Sequence, residues 1–222
     1  MDGSGALFAP FIAALGDAVD TIVVAYPTDV PLDYAGLTAF ARERLPRDRP
    51  FYLLGESFSG PIAIALAAAS PPGLQGLILS CSFARNPVPL LRAARPLISI
   101  LPVSHHFAPL LHPFMLGLGQ SGPVRKVLRA ALAAVPPTVV KARMRTVLDV
   151  DYTAPLAAIV VPVLYLQASR DRVVSVAALR HIRSIKADVK VVTIDGPHLL
   201  LQMAPRDAAG AVLGFVAAVS GH

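Results

Sequence analysis

The sequence predicts an α/β fold with a mainly parallel central sheet and flanking helices, and three observations predict it. Short β-branched runs alternate with longer Ala- and Leu-rich segments, the pattern of strand–helix–strand units. The short runs are apolar throughout rather than alternating, as strands covered on both faces should be. With 222 residues and 55% hydrophobic content, the chain can bury one sizeable core.

Taken in order, a helix over Leu7–Leu15 precedes a strand at Thr21–Tyr26, and a helix over Tyr34–Leu45 precedes a strand at Phe51–Gly55. An Ala-rich helix follows at Ser59–Ala69, then a strand at Gly76–Cys81. The alternation lapses after residue 85 and resumes with strands at Val163–Gln167 and Val189–Ile194, separated by a helix over Ala177–Ile185 and followed by one over Pro205–Val219. The interval contains Pro-rich, His-containing sequence and two helix-like stretches, Val124–Val135 and Thr138–Val147. The chain therefore divides into a core, 1–85 with 155–222, and a helical cap or lid insertion, 86–154.

Ser59–Ala84 and Pro96–Val124 contain no Asp, Glu, Lys or Arg, so each is long enough to be weighed as a membrane span. Pro71-Pro72-Gly73 breaks the first, while Pro102, Pro109 and Pro113 break the second, so no stable membrane insertion is expected. Met-Asp-Gly-Ser-Gly has no basic region leading into an apolar one, and the expected location is cytoplasmic. The net charge of +6 is scattered apart from Arg125, Lys126 and Arg129, then Lys141, Arg143 and Arg145, which argues against a nucleic-acid module. Lone Cys81 lies in an apolar run and reads as a packing residue.

The candidate chemistry begins at Gly55-Glu56-Ser57-Phe58-Ser59-Gly60, a small-residue turn between an apolar strand and an Ala-rich helix. Such a turn strains the backbone of Ser57 and presents its hydroxyl at the carboxyl edge of the sheet. Gly55, Ser59 and Gly60 leave room for strand and helix to meet there. The backbone N–H of Phe58, at the start of the helix, is placed to meet a developing oxyanion. A serine nucleophile needs a base held by a carboxylate. His198, in Gly196-Pro197-His198, and Asp171, in Ser169-Arg170-Asp171-Arg172, both follow predicted strands at their carboxyl ends. His105, His106, His112, His181 and His222, and Asp149, Asp151 and Asp195, are less well placed.

In that order, GESFSG, SRDRVV and GPH resemble the elbow, acid loop and histidine loop of the bacterial carboxylesterase branch of the α/β-hydrolase superfamily. The resemblance spans essentially the whole chain and extends loosely to pimeloyl-carrier methyl ester esterases. It implies that Ser57 attacks an acyl carbon, that His198 takes and returns the proton, and that Asp171 orients the imidazole, with neither metal nor cofactor. The second oxyanion donor of the family would map to the backbone of Met1, because Met1-Asp2-Gly3-Ser4-Gly5 looks like the second half of the family's oxyanion loop. The strands before that loop are not in the sequence. One of them would lie between Thr21–Tyr26 and Phe51–Gly55, leaving a gap of roughly 9.6 Å unless those strands pair directly. Met1 is thus expected to be an internal residue of a longer natural protein, or the sheet to have re-paired.

The leading expectation is a serine esterase acting on a small acyl or lipophilic ester. Phe107, Phe114 and Met115 of the apolar cap are the expected substrate contacts. Arg125, Lys126 and Arg129 suit an acidic acyl carrier, so a thioesterase or acyltransferase on carrier-linked acyl groups is an alternative. A noncatalytic binding protein of the same fold is another.

Overall fold

The computed structural model describes residues 2–99, 113–117 and 122–221. A four-stranded parallel sheet forms its centre, with strands β1 (Phe51–Glu56), β2 (Leu74–Ser80), β3 (Val163–Ala168) and β4 (Lys190–Ile194) lying side by side in sequence order. The register sets Gly55 beside Leu79, Leu79 beside Tyr165 and Tyr165 beside Val191, so the carboxyl ends of all four strands reach one edge.

Helices cover both faces, which is why the strands are apolar on both. One face carries α3 (Gly60–Ala68), α6 (Thr153–Ala157) and α7 (Val176–Ile185), whose Ile64, Leu156 and Ile182 pack with Leu77, Leu79 and Tyr165. The other carries α1 (Ala9–Leu15), α8 (Leu200–Met203) and α9 (Pro205–Ser220), whose Phe11, Leu200 and Phe215 pack with Ile78, Leu164 and Leu166. Helix α2 (Tyr34–Arg42) begins at Asp33, whose carboxylate accepts the Gly36 N–H at 2.8 Å and so caps the first turn. It buries Leu37 and Ala41 against Ile62 and Leu66 of α3.

Between β2 and α6, the chain leaves and rejoins the core at one place. Asn86 N–H donates to Val150 O at 3.0 Å, and Tyr152 N–H donates to Ala84 O at 2.7 Å. Two helices of this segment, α4 (Pro123–Ala133) and α5 (Pro137–Asp149), lie where helices were expected, each opened by a proline. Pro89–Ser99, which the sequence left without an element, winds into a 3₁₀ helix. Arg143 of α5 is fully buried and donates to Asp2 O at 2.8 Å and Pro27 O at 2.7 Å, fastening the segment to the core.

Thr21–Tyr26 corrects the expected strand order. The stretch belongs to no ladder, and Ile22 remains 54% exposed. Its Tyr26 N–H instead donates to Gly3 O at 2.7 Å. Direct re-pairing with β1 does not occur among the described residues, so β1 has a ladder partner on one side. A cavity of about 520 Å³ lies along the other side, between β1 and residues 19–24. The β-branched run Thr21-Ile22-Val23-Val24 has strand propensity, but a ladder needs a neighbour within hydrogen-bonding distance. Among the described residues, no helix is long and apolar enough to cross a membrane.

Candidate active site

Ser57 follows the last residue of β1 and starts a single 3₁₀ turn, Ser57–Ser59, that runs into α3. Its φ of 50° is in the left-handed region, unfavourable for a residue with a side chain. Close packing enforces this geometry. A Cβ on Gly55 would come within 2.8 Å of Gly60 Cα and 2.9 Å of Ala63 Cβ, and one on Gly60 would overlap the Ser82 hydroxyl. Ser82, just past β2, donates its hydroxyl to Ser57 O at 2.7 Å. It is itself held by Tyr165 of β3, which donates to Ser82 O at 2.7 Å and accepts from Ser82 N–H at 3.1 Å.

The structure brings Ser57, His198 and Asp171 together in one hydrogen-bonded line. Ser57 Oγ lies 2.8 Å from His198 Nε2, and His198 Nδ1 lies 2.9 Å from Asp171 Oδ2 and 3.0 Å from Oδ1. The His198 and Asp171 side chains are each 1% exposed. Burial alone would push the Asp171 carboxyl up. The His198 hydrogen bond and charge, with N–H donors from Val174 and Val173, outweigh burial and hold it below the usual carboxylate range. An ionised Asp171 accepting from Nδ1–H leaves Nε2 free to accept the Ser57 proton, the arrangement that general-base activation requires.

Phe58 is 4% exposed and stacks on Tyr34, ring centres 5.0 Å apart, which fixes the residue whose N–H opens the helical turn. Met1, the other expected oxyanion position, lies outside the described residues, as do Phe107, His105, His106, His112 and His222. Met115 lines the cavity. Phe114, expected beside it, is 50% exposed to solvent and is not in the lining. His181 and the remaining aspartates are engaged elsewhere: His181 with Thr153 Oγ1 at 3.1 Å, Asp195 with Arg170 and Ser169, Asp149 with Arg95, and Asp151 with Thr153 N–H.

The cavity runs along β1 and reaches Ser57 and His198, where Leu7, Phe8, Met115 and Leu128 give it apolar walls. Cys81 Sγ, Asp171 and His198 place potential metal-ligand atoms within 4.8 Å of one another. However, the 2.9 Å separation of His198 Nδ1 and Asp171 Oδ2 is a hydrogen bond, with no ion-sized space between them. Burial pushes the Cys81 thiol well above its ordinary range, so it stays protonated beside the pair. Its φ of 47° belongs to the turn that brings Ser82 under the elbow.

A parallel sheet covered on both faces, with a strained serine at the end of one strand and its hydrogen-bonding histidine and aspartate beyond two others, defines an α/β-hydrolase. The model for the family described as serine aminopeptidase, S33, matches residues 22–198, and the chain belongs to that family. A curated relative, phytyl ester synthase 1, chloroplastic, of Arabidopsis thaliana, is 32% identical over 135 residues, which are 56% of this chain. The match spans 18% of that relative's length. Among solved structures, a thermophilic esterase from Thermogutta terrifontis aligns with a TM-score of 0.83 and 20% identity, covering 97% of this chain and 86% of that one. The enol-lactonase from Burkholderia xenovorans LB400 aligns at 0.80 and 19%, covering 97% and 87%. At these identities the two structures establish the fold. The chain has the α/β-hydrolase fold and belongs to a hydrolase family.

The roles of Ser82, Tyr165 and the buried Arg143 were not legible in the sequence. Ser82 carried one usable signal, a small polar residue at the carboxyl end of a buried strand.

Proposed function

We propose that the protein hydrolyses carboxylic esters with acyl or otherwise lipophilic groups through an acyl-enzyme on Ser57. The observation that carries this reading is the strained Ser57, hydrogen-bonded at 2.8 Å to His198 where both open onto an apolar-walled cavity. In this mechanism His198 Nε2 takes the Ser57 proton as Oγ adds to the ester carbonyl, and the Phe58 N–H faces the developing oxyanion. Collapse of the tetrahedral intermediate expels the alkoxide with the proton from His198. Water, deprotonated by the same nitrogen, then releases the acid and restores Ser57. Asp171 holds the imidazole tautomer and balances the transient imidazolium.

An ester fits the site better than an aminoacyl substrate, whose ammonium needs an acidic partner. Of the acidic residues lining the cavity, Glu56 is engaged by Gln202, Asp2 by Ser4 and Asp20 by Arg49, all at hydrogen-bond length. The relative named an ester synthase supports a second reading, transfer of the acyl group to an alcohol in place of water. Arg125, Lys126 and Arg129, exposed on α4, are the residues proposed to meet an acidic acyl carrier.

The test is a fluorophosphonate probe together with a panel of p-nitrophenyl esters of increasing chain length, with and without a long-chain alcohol. Labelling and turnover that vanish in Ser57→Ala are expected, with longer acyl chains preferred. Absence of labelling in the wild type favours a binding protein, and cleavage of aminoacyl anilides in preference to esters overturns the ester reading.

A further inference from the structure

Glu56 is a carboxylate placed where one is costly. It is 9% exposed, immediately before Ser57, and burial pushes its carboxyl up. Its neighbours are nevertheless all donors. The Ser59 N–H bonds to it across the elbow, Leu201 N–H reaches Oε1 at 3.4 Å, and Gln202 Nε2 reaches Oε2 at 2.9 Å. Leu201 and Gln202 belong to α8, the helix that begins two residues after His198. A single side chain therefore ties the nucleophile's turn to the histidine's segment, across 146 positions of sequence.

We propose that Glu56 is a positioning residue for the Ser57–His198 pair. It locks the elbow to α8 so that Oγ and Nε2 stay at bonding distance, and its negative charge favours the imidazolium formed during proton transfer. This rests on the serine-hydrolase reading above. The titratable groups around the two segments are Asp171 on His198 Nδ1, the buried Cys81 thiol, and Glu56 itself. Asp171 and Glu56 are the anions among them.

Gln202 supplies the means to separate the two effects. Among the described residues its Oε1 is buried without a donor. In Glu56→Gln, rotation of the Gln202 amide lets Oε1 accept the new side-chain N–H. The tie between the segments survives while the charge is lost. Glu56→Ala removes both and leaves the Gln202 amide and Leu201 N–H without a partner.

The experiment measures the second-order rate of fluorophosphonate labelling against pH, with Ser57→Ala as blank and thermal melting of each variant in parallel. Glu56→Gln should melt within a few degrees of the wild type, label roughly tenfold more slowly, and show the acid limb of its profile at lower pH. Glu56→Ala should label about 10²-fold more slowly, the usual consequence of misplacing a reacting pair by about 1 Å. Wild-type protein without Ser57-dependent labelling overturns the hydrolase reading and this proposal with it. A live wild type and a Glu56→Gln variant with the same rate and pH profile overturn the role of Glu56 alone.

Discussion

Gly60→Ala tests whether close packing holds the elbow. The new Cβ would overlap the Ser82 hydroxyl and stand 2.6 Å from Ser82 Cβ, so rotating the hydroxyl does not relieve it. Ser82 cannot retreat freely, because Tyr165 holds both its N–H and its carbonyl at 3.1 and 2.7 Å. The substitution therefore forces α3 and the end of β2 apart, and the 2.7 Å bond from Ser82 to Ser57 O breaks. Overpacking costs about 1–3 kcal/mol and the lost hydrogen bond about 1 kcal/mol, together about 2–4 kcal/mol. For a chain of this length that lowers Tm by roughly 5–15 °C. Displacement of Oγ by about 1 Å should slow fluorophosphonate labelling by about 10². Adding Ser82→Gly removes both overlapping atoms, so the double variant should recover most of the stability lost in Gly60→Ala. A Gly60→Ala protein with wild-type Tm and labelling rate would refute the packing argument, as would a double variant no more stable than Gly60→Ala.

Asp171→Asn keeps the shape but not the charge that orients His198, and should reduce turnover by about 10⁴ with a fold intact by circular dichroism. Because the folded carboxyl of Asp171 lies below its free value of 3.8, its stabilisation is complete above that pH and is lost as pH falls through the lower folded value. Wild-type acid unfolding should therefore be steeper than that of Asp171→Asn in this range, as read by tryptophan-independent far-UV signal. Arg143→Met leaves the Asp2 and Pro27 carbonyls without their buried donor and should cost about 2–4 kcal/mol in urea unfolding. A loss below about 0.5 kcal/mol would show that α5 is fastened by its apolar contacts instead.

The sequence made some parts of this site legible because their causes are local. Gly55, Ser57 and Gly60 form a turn of small residues legible within six positions, although the Ser82 that Gly60 makes room for is distant in sequence, and His198 and Asp171 each follow a buried apolar run. The sheet was legible for the same reason at all four strands, where apolar runs stand between turn residues. Thr21–Tyr26 misled because β-branched composition reports local preference, whereas a ladder depends on what lies alongside. Arg143 looked like one of several basic residues on a helix face, and its burial depends on carbonyls at Asp2 and Pro27, more than a hundred positions away. Glu56 was visible as part of the elbow. Its work was not, because its partner is Gln202.

Among the described residues β1 has one ladder neighbour, and this gives the distant contacts their importance. In a sheet interior, a strand-end turn is held from both sides by neighbouring strands. Among the described residues β1 is held in register by β2 alone, while a cavity of about 520 Å³ borders its other side. The elbow must then be fixed by what reaches it from β2, β3 and the helix beyond β4. Ser82 does so from the end of β2, braced by Tyr165 of β3, and Gln202 and Leu201 do so from α8. These bonds approach Ser57 from the sheet side and from the histidine side. Neither set of bonds engages Oγ, which stays 2.8 Å from His198 Nε2 at the end of the cavity.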